Sequence, residues 1–199
     1  MPELLVDFII SLDGFASAEG WPGWWGLEGP EYLSWLEQQP EANYTVLLGA
    51  NTYRMMSQMA ARASASEGGF SKEEEESLTG MDAMHKVVFS TTLREPLSWP
   101  NTKLVSGDAV DAIAALKRDG AAPMRTLGSI SLSRSLLTAG LVDRFRVVVF
   151  PVITGKSGRE RIFYGWPDVA LELTASRTFD DRIQLLEYVP TVLDGPPST

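Results

Sequence analysis

Three apolar runs in this chain end in small residues of the kind that leave backbone N–H groups open to a ligand. They are Thr45-Val-Leu-Leu-Gly-Ala-Asn-Thr-Tyr53, Ile9-Ile-Ser-Leu-Asp-Gly14 and Met124-Arg-Thr-Leu-Gly-Ser129. In the first, a strand-like run stops at Gly49 and a helix-compatible stretch begins at once. A turn of that kind aims unpaired N–H groups and the positive end of a helix dipole beyond the sheet, a setting that suits a phosphate. The glycine patterns GxGxxG and GxxxxGK[ST] are both missing, so any phosphate cradle here is built differently.

In an open parallel sheet, ligands bind outside the carboxyl ends of the strands. The residues expected there are Ser11, Asp13 and Gly14; Gly49, Asn51 and Thr52; Ser90, Thr91 and Thr92; Ser106, Gly107 and Asp108; Gly128 and Ser129. Three of these groups lead directly into helices, enough dipole-oriented N-termini along one edge to hold an extended anion such as a dinucleotide pyrophosphate. The competing account is that Gly, Ser, Thr and Asp populate turns and caps in any protein. Asp13-Gly14 has both readings, as a turn dipeptide and as a polar group beside a substrate. His85 is expected at the surface ahead of a strand, and Glu73 to Glu76 on a solvated helix face.

The elements that must position these residues follow from hydrophobic pattern. Leu4 to Leu12 is nearly continuous in apolar residues and predicts a strand near the sheet centre, buried on both faces. Thr45–Leu48, Lys86–Phe89, Lys103–Val105, Met124–Leu127 and Arg146–Ile153 predict further strands. Val110, Ile113 and Leu116 before Gly120, and Leu132, Leu136 and Leu137 before Gly140, have helical spacing with a glycine stop. Strand and helix alternating in this way predict a parallel sheet with helices on its faces. Val169–Phe179 and Arg182–Val189, on either side of Asp180-Asp181, predict an antiparallel hairpin, with a slip in the alternation at Leu186. Ala60 to Gly80 reads as an inserted mobile loop leading into a short acidic helix. One domain over 1–189 and a flexible tail over 190–199, with three prolines, complete the outline.

Composition narrows the function. The 199 residues, 44% of them apolar, suit one core. A net charge of −9 with no run of Lys or Arg argues against a nucleic-acid partner. Thiol and disulfide chemistry is excluded by the lack of cysteine, and a zinc site is not expected with a single histidine. Met1-Pro-Glu-Leu-Leu-Val has an acid where a signal peptide has bases, and no run approaches the roughly 18 apolar residues of a membrane span. A cytoplasmic protein with a small-molecule ligand and no membrane partner is expected. The apolar Arg146–Ile153 strand and the C-terminal hairpin offer a surface for a homodimer.

As an ordered set the motifs resemble the dihydrofolate reductase-like superfamily, and within it the reductase domain at the C-terminus of RibD. The matching pieces are Ile10-Ser-Leu-Asp-Gly-Phe15, Leu47-Leu-Gly-Ala-Asn-Thr-Tyr53, Lys86-Val-Val-Phe-Ser-Thr-Thr92, Leu127-Gly-Ser-Ile-Ser-Leu132 with Arg134-Ser-Leu-Leu137, and Ala139-Gly-Leu-Val-Asp143 followed by Phe150-Pro-Val152. The resemblance implies a stand-alone, three-layer α/β/α domain with a mostly parallel sheet of about eight strands. It implies an NADPH-dependent reductase, acting on a pterin or aminopyrimidine as dihydrofolate reductase or 5-amino-6-(5-phosphoribosylamino)uracil reductase does. By the same resemblance, Gly49, Ala50, Asn51 and Thr52 meet the pyrophosphate and adenosine phosphate, Ser90 and Thr91 the adenosine side, and Gly128, Ser129 and Ile130 the pyrophosphate from the other helix. Ser11, Asp13 and Gly14 flank nicotinamide and substrate.

Two departures stand out. Many relatives have Arg at the place of Ala50, where it pairs with the 2′-phosphate of NADPH, so preference over NADH is open; Arg54, Arg94 and Lys103 are substitutes. Many have Gly-Gly where this chain has Gly128-Ser129. Trp21-Pro-Gly-Trp-Trp25 falls where the superfamily has a loop over nicotinamide and substrate; Trp24 and Trp25 either stack on a planar heterocycle or fill a hydrophobic corner or dimer contact. Glu31, with Tyr32 beside it, is the nearest counterpart of the acid that orients the pterin, and it also suits a first-turn acid on a helix dipole. The alternative function is a nucleotide- or ligand-binding dimer that kept the fold without turnover.

Overall fold

The computed structural model describes residues 1–20, 25–38, 40–67, 69–70, 72–120 and 122–195. In chain order they form β1 (Leu4–Ser11), β2 (Phe15–Ala18), α1 (Pro30–Glu37), β3 (Thr45–Gly49), α2 (Ala50–Ser64), α3 (Lys72–Gly80), β4 (Lys86–Phe89) and β5 (Thr102–Val105). There follow α4 (Ala109–Arg118), β6 (Met124–Thr126), α5 (Ile130–Thr138), β7 (Arg144–Phe150), β8 (Gly158–Arg161), β9 (Val169–Phe179) and β10 (Ile183–Val192). The main sheet has eight strands in the order β5-β4-β3-β6-β1-β7-β10-β9. The first six run parallel; β10 is antiparallel to β7 and to β9. This is the mostly parallel α/β architecture with a C-terminal hairpin that the sequence predicts.

β1 is central because its residues are apolar toward both layers. Leu4, Val6, Phe8 and Ile10 face α4 and α5, in one core with Leu132, Leu136 and Leu137. On the other face Val46, Leu48 and Val88 pack under α2 through Tyr53, Met56, Ala60 and Ala63, a helical stripe at intervals of three and four. A third cluster, Tyr32, Val148, Phe150, Phe179 and Ile183, packs beneath α1. α5 stops at Gly140, whose φ of +65° lets its N–H reach Leu137 O while Leu141 N reaches Leu136 O, a Schellman ending.

Several expectations change. Ala60 to Ser64 is not loop but the last turn and a half of α2, held down by the small buried side chains of Ala60 and Ala63; α3 then occupies 72–80. β7 begins at Arg144 and ends before Pro151, which has no N–H to continue a ladder. β10 has no slip: Leu186 and Tyr188 face one core, Ile183 and Leu185 the other. The extra residue is in β9, where Glu187 pairs with Ala175 and Tyr188 with Leu173, leaving Thr174 as a bulge. β10 also runs to Val192, paired with Val169, three residues into the expected tail. Asp180 and Asp181 make the two-residue turn with φ of +50° and +54°, the left-handed pair of a type I′ hairpin.

Candidate active site

Beyond the carboxyl ends of β3 and β6 lies a cavity of about 1250 Å³. Gly49, Ala50, Asn51 and Thr52 line it together with Gly128, Ser129 and Ile130. These are seven of the residues expected to hold a cofactor. The two glycine turns meet directly: Ser129 Oγ accepts a hydrogen bond from Gly49 N at 2.8 Å and lies 3.0 Å from Thr52 Oγ1. Ser129 accounts for the departure from Gly-Gly. Gly128 and Ser129 have φ of +54° and +59°, so a serine holds a left-handed conformation that costs about 1–2 kcal/mol, and its hydroxyl ties the two helix starts together.

The ends of the helices differ in a way that points into the cavity. α4 is capped by Asp108, whose carboxylate accepts from Asp111 N at 3.0 Å. α1 is capped from across the fold, with Asp180 accepting from Glu31 N at 3.0 Å and Tyr32 N at 3.2 Å. A Cβ on Gly29 would lie 2.2 Å from that carboxyl, so glycine precedes the helix there. α2 and α5 have no side-chain cap. Their first-turn residues line the cavity, and an anion placed at those helix starts meets both dipoles.

Ser90 and Thr91 are not in the cavity wall; Ser90 Oγ caps its own loop by accepting from Thr92 N and Leu93 N. They connect to it through Arg54, which donates to Asn51 Oδ1 and Thr92 Oγ1, both at 3.1 Å. Arg94 is turned onto the carbonyls of Thr91 and Leu93.

The acids of the sequence reading have other work. Asp13 accepts from Ser11 Oγ at 2.7 Å, Thr154 N at 3.1 Å and Gly155 N at 3.0 Å, clamping the turn after β1 to the loop after β7. Desolvation pushes its carboxyl up, and these hydrogen bonds outweigh that and hold its pKa at about 2. Gly14, with φ of +84°, closes this turn against Phe163. Asp13 is therefore a fixed anion and not a proton donor at neutral pH. Glu31 accepts from Asp180 N at 2.9 Å, so Glu31 and Asp180 form a reciprocal cap in three dimensions, away from the cavity wall.

Trp25 and Tyr32, expected against substrate, are core residues, each 1% exposed. Tyr32 stacks with Trp35 and meets Phe150 and Phe179 edge-on, so no face is left for a ligand; burial pushes its hydroxyl well above the ordinary phenol range. Trp24 lies outside the described residues.

What the sequence reading missed is the floor. Asp7 from β1 and Arg125 from β6 line it, with Leu33, Leu36 and Glu37 of α1 and Met55 of α2 above. Asp7 is the single charge inside the apolar Leu4–Ile10 run, which was the available signal. Burial pushes its carboxyl up against the pull of Arg146 and Arg125, with Glu41 and Glu187 adding to the rise. Beside it, Arg146 donates to Glu41 and Glu187, both at 2.6 Å, and Arg144 donates to Glu41 at 2.7 Å. Burial pushes Glu41 up, and the hydrogen bonds from Arg146 and Arg144 reverse the sign and hold it down. No group of three or more metal-ligating side chains occurs among the described residues.

Comparisons with known proteins agree with this architecture. A family model described as RibD C-terminal domain matches residues 2–185. The uncharacterized protein YyaP of Bacillus subtilis is 22% identical over 187 residues, 93% of each chain. A putative riboflavin biosynthesis protein of Shewanella sp. PV-4 superposes with a TM-score of 0.66 at 18% identity, covering 95% of this chain and 99% of that one. A pyrimidine reductase-like protein of Corynebacterium diphtheriae gives 0.60 at 16% identity, over 96% and 92%. The diaminohydroxyphosphoribosylaminopyrimidine deaminase/5-amino-6-(5-phosphoribosylamino)uracil reductase of Thermotoga maritima gives 0.63 at 17%, over 96% of this chain and 57% of its own. These three structures share the fold. With the family model covering nearly its whole length, the chain belongs to the RibD C-terminal domain family.

Proposed function

We propose that the chain is an NAD(P)H-dependent reductase that delivers a hydride to a small heterocycle of the pterin or aminopyrimidine type. One observation carries this reading: the two helices that start at the cavity wall directly after β3 and β6, α2 and α5, lack side-chain caps, whereas α1 and α4 have carboxylates in that place. A pyrophosphate supplies acceptors to both open ends at once. The volume fits, since about 1250 Å³ exceeds the roughly 300–1,000 Å³ of a pocket for one small ligand and leaves room for an acceptor beside a dinucleotide.

When bound, the dihydronicotinamide supplies the hydride. The protein's part is to hold the pyrophosphate on the amides of Ala50–Thr52 and Ser129–Ile130, to orient the acceptor over the floor, and to exclude water. Arg54, tethered to Asn51, takes the 2′-phosphate in place of the Arg that Ala50 replaces. A riboflavin-type aminouracil reduction is the finer assignment, supported by family membership and by what the Thermotoga relative's name says it does. We assign the chain to the cytoplasm; among the described residues no helix is long and apolar enough to cross a membrane. The exposed edge strand β9, with Leu171 and Leu173 uncovered beside Val189 of β10, is the face for a second copy in a homodimer.

The alternative is a ligand-binding dimer without turnover. It is favoured by the structural commitments of Asp13 and Glu31, which leave neither free to donate a proton. Titration with NADPH and NADH, read by tryptophan fluorescence, followed by loss of dihydronicotinamide absorbance over a panel of pterins and aminouracils, separates the readings. Saturable binding with turnover supports the reductase, binding without turnover supports the alternative, and no binding at millimolar cofactor removes the reductase.

A further inference from the structure

The cavity runs the length of the strands and changes character along the way. Gly49 and Ser129 stand at its carboxyl end, whereas Ala42 and Met84, which also line it, precede β3 and β4. The two ends are at least about 16 Å apart, the span of the five residues of β3. The uncapped starts of α2 and α5 are at the first end. Between the ends the walls are apolar, with Leu33 and Leu36 of α1 facing Met55 and Met56 of α2 and Met81 beside Met84. At the second end the wall is acidic, with Glu37, Glu74 and Glu76. Glu37 is the last residue of α1, whose final turn holds no basic side chain, so this acid stands at the negative end of the helix dipole, the wrong sign for helix stability. The cations of the wall, among the described residues, are Arg125 and Arg159, and both are engaged. Arg159 on β8 meets Glu19 at 3.1 Å. Arg125, 7% exposed, lies in the field of Asp7 and Glu41, and Asp7 is itself the counter-charge of the buried Arg146. Lys72, which meets Glu76 at 3.6 Å, is exposed and outside the wall.

We propose that the acceptor of this site carries no phosphate: it is a planar, apolar-substituted heterocycle, neutral or singly cationic, whose side group lies between α1 and α3. This rests on the reductase reading and narrows its substrate class, so that an aminouracil is taken only without a ribose phosphate. A phosphate monoester brings a charge of about −1.5 to −2 and oxygens that need donors or cations. The cavity supplies donors at the two open helix starts, where the pyrophosphate of the cofactor lies. At the other end it supplies three carboxylates and the carbonyl end of α1, so a second phosphate there loses its water, gains no donor and is repelled. The methionines suit an apolar body, since thioether side chains adapt to the outline of a flat ring and contact its edge favourably. Glu37, Glu74 and Glu76 are thus specificity residues that act by exclusion, set apart from the pyrophosphate cradle.

Riboflavin and riboflavin 5′-phosphate share one ring system and differ in the phosphate alone. Quenching of their fluorescence by the full chain, with NADP⁺ saturating so that the cradle is filled, tests the assignment. Riboflavin is expected to bind at least about tenfold more tightly, the scale of one unfavourable charge contact. Glu37→Gln, Glu74→Gln and Glu76→Gln combined narrow the gap to below about threefold, while NADP⁺ binding read by tryptophan fluorescence stays within about twofold. Equal binding of the two flavins by the wild type, or tighter binding of the phosphate, overturns the assignment without recourse to a variant. So does a wild type that binds NADP⁺ and neither flavin, and so does a triple variant that binds NADP⁺ and keeps the full gap. Failure of the wild type to bind NADP⁺ instead strikes the reductase reading itself, so the two failures are distinct.

Discussion

Ala50→Asp is the sharpest perturbation of the proposed cradle, because it moves stability and cofactor affinity in opposite directions. Ala50 is the first residue of α2 and lines the cavity. A carboxylate there complements an uncapped helix N-terminus and stabilises it by about 0.3–1 kcal/mol, which raises the Tm of a domain of this size by about 1–4 °C. The same charge competes with the pyrophosphate. At a separation of about 6 Å and an effective dielectric of about 20, like charges repel by about 3 kcal/mol. Salt screening at an open cavity mouth leaves roughly 1.5–3 kcal/mol of this, or about a ten- to hundredfold rise in the Kd for NADPH. Thermal melts and calorimetry on the same preparation read both quantities, with Ala50→Asn as the uncharged control and part of the loss recovered at high salt. A folded Ala50→Asp protein that binds NADPH as the wild type does would refute the placement of phosphate at this helix, and a fall in both Tm and affinity would reduce the effect to misfolding.

Ala50→Arg restores the cation found in many relatives and is expected to shift the NADPH-to-NADH affinity ratio toward NADPH by about tenfold, the scale of a charge-assisted pair; an unchanged ratio places the 2′-phosphate elsewhere. Glu41→Ala withdraws the carboxylate shared by Arg144 and Arg146 and leaves buried cations underpaired, so a loss of about 3–5 kcal/mol in urea unfolding is expected; a loss below 1 kcal/mol contradicts the network. The depressed pKa of Asp13 stabilises the fold above its ordinary value of 3.8, and this contribution fades as pH falls toward about 2. Asp13→Asn is therefore expected to flatten the acid limb of the stability profile between those values, and an unaltered limb means the clamp on Thr154 and Gly155 does not form in solution.

Much of the fold was legible because it rests on local signals. The Leu4–Ile10 run had to lie where both faces are covered, Gly140 had to end a helix, and Asp180-Asp181 had to turn a hairpin. The short pair β2 and β8 was not legible: Gly-Arg-Glu-Arg in β8 has no apolar alternation, and the strand exists through its pairing with Phe15 to Ala18. At the site, the glycine turns announced themselves by sequence, since a strand ending in Gly before a helix has few geometries. The floor did not, because Asp7 and Arg125 are brought together only by the β1–β6 pairing, and an isolated acid in an apolar run gives no hint of its partner. Glu31 and Trp25 kept two readings each in the sequence for the complementary reason, and the structure takes the helix-end acid and the hydrophobic corner. Their roles, one in a cap with Asp180 and one in the core under α1, depend on the hairpin some 150 residues downstream.

The reductase reading stands on two helix ends sharing one pyrophosphate. Following the backbone amide resonances of Ala50, Asn51, Ser129 and Ile130 during NADPH titration addresses it directly. All four are expected to move together, with one saturation curve, ahead of the amides of α1 and α4. Movement confined to one helix, or cofactor binding that leaves these amides unshifted, contradicts it.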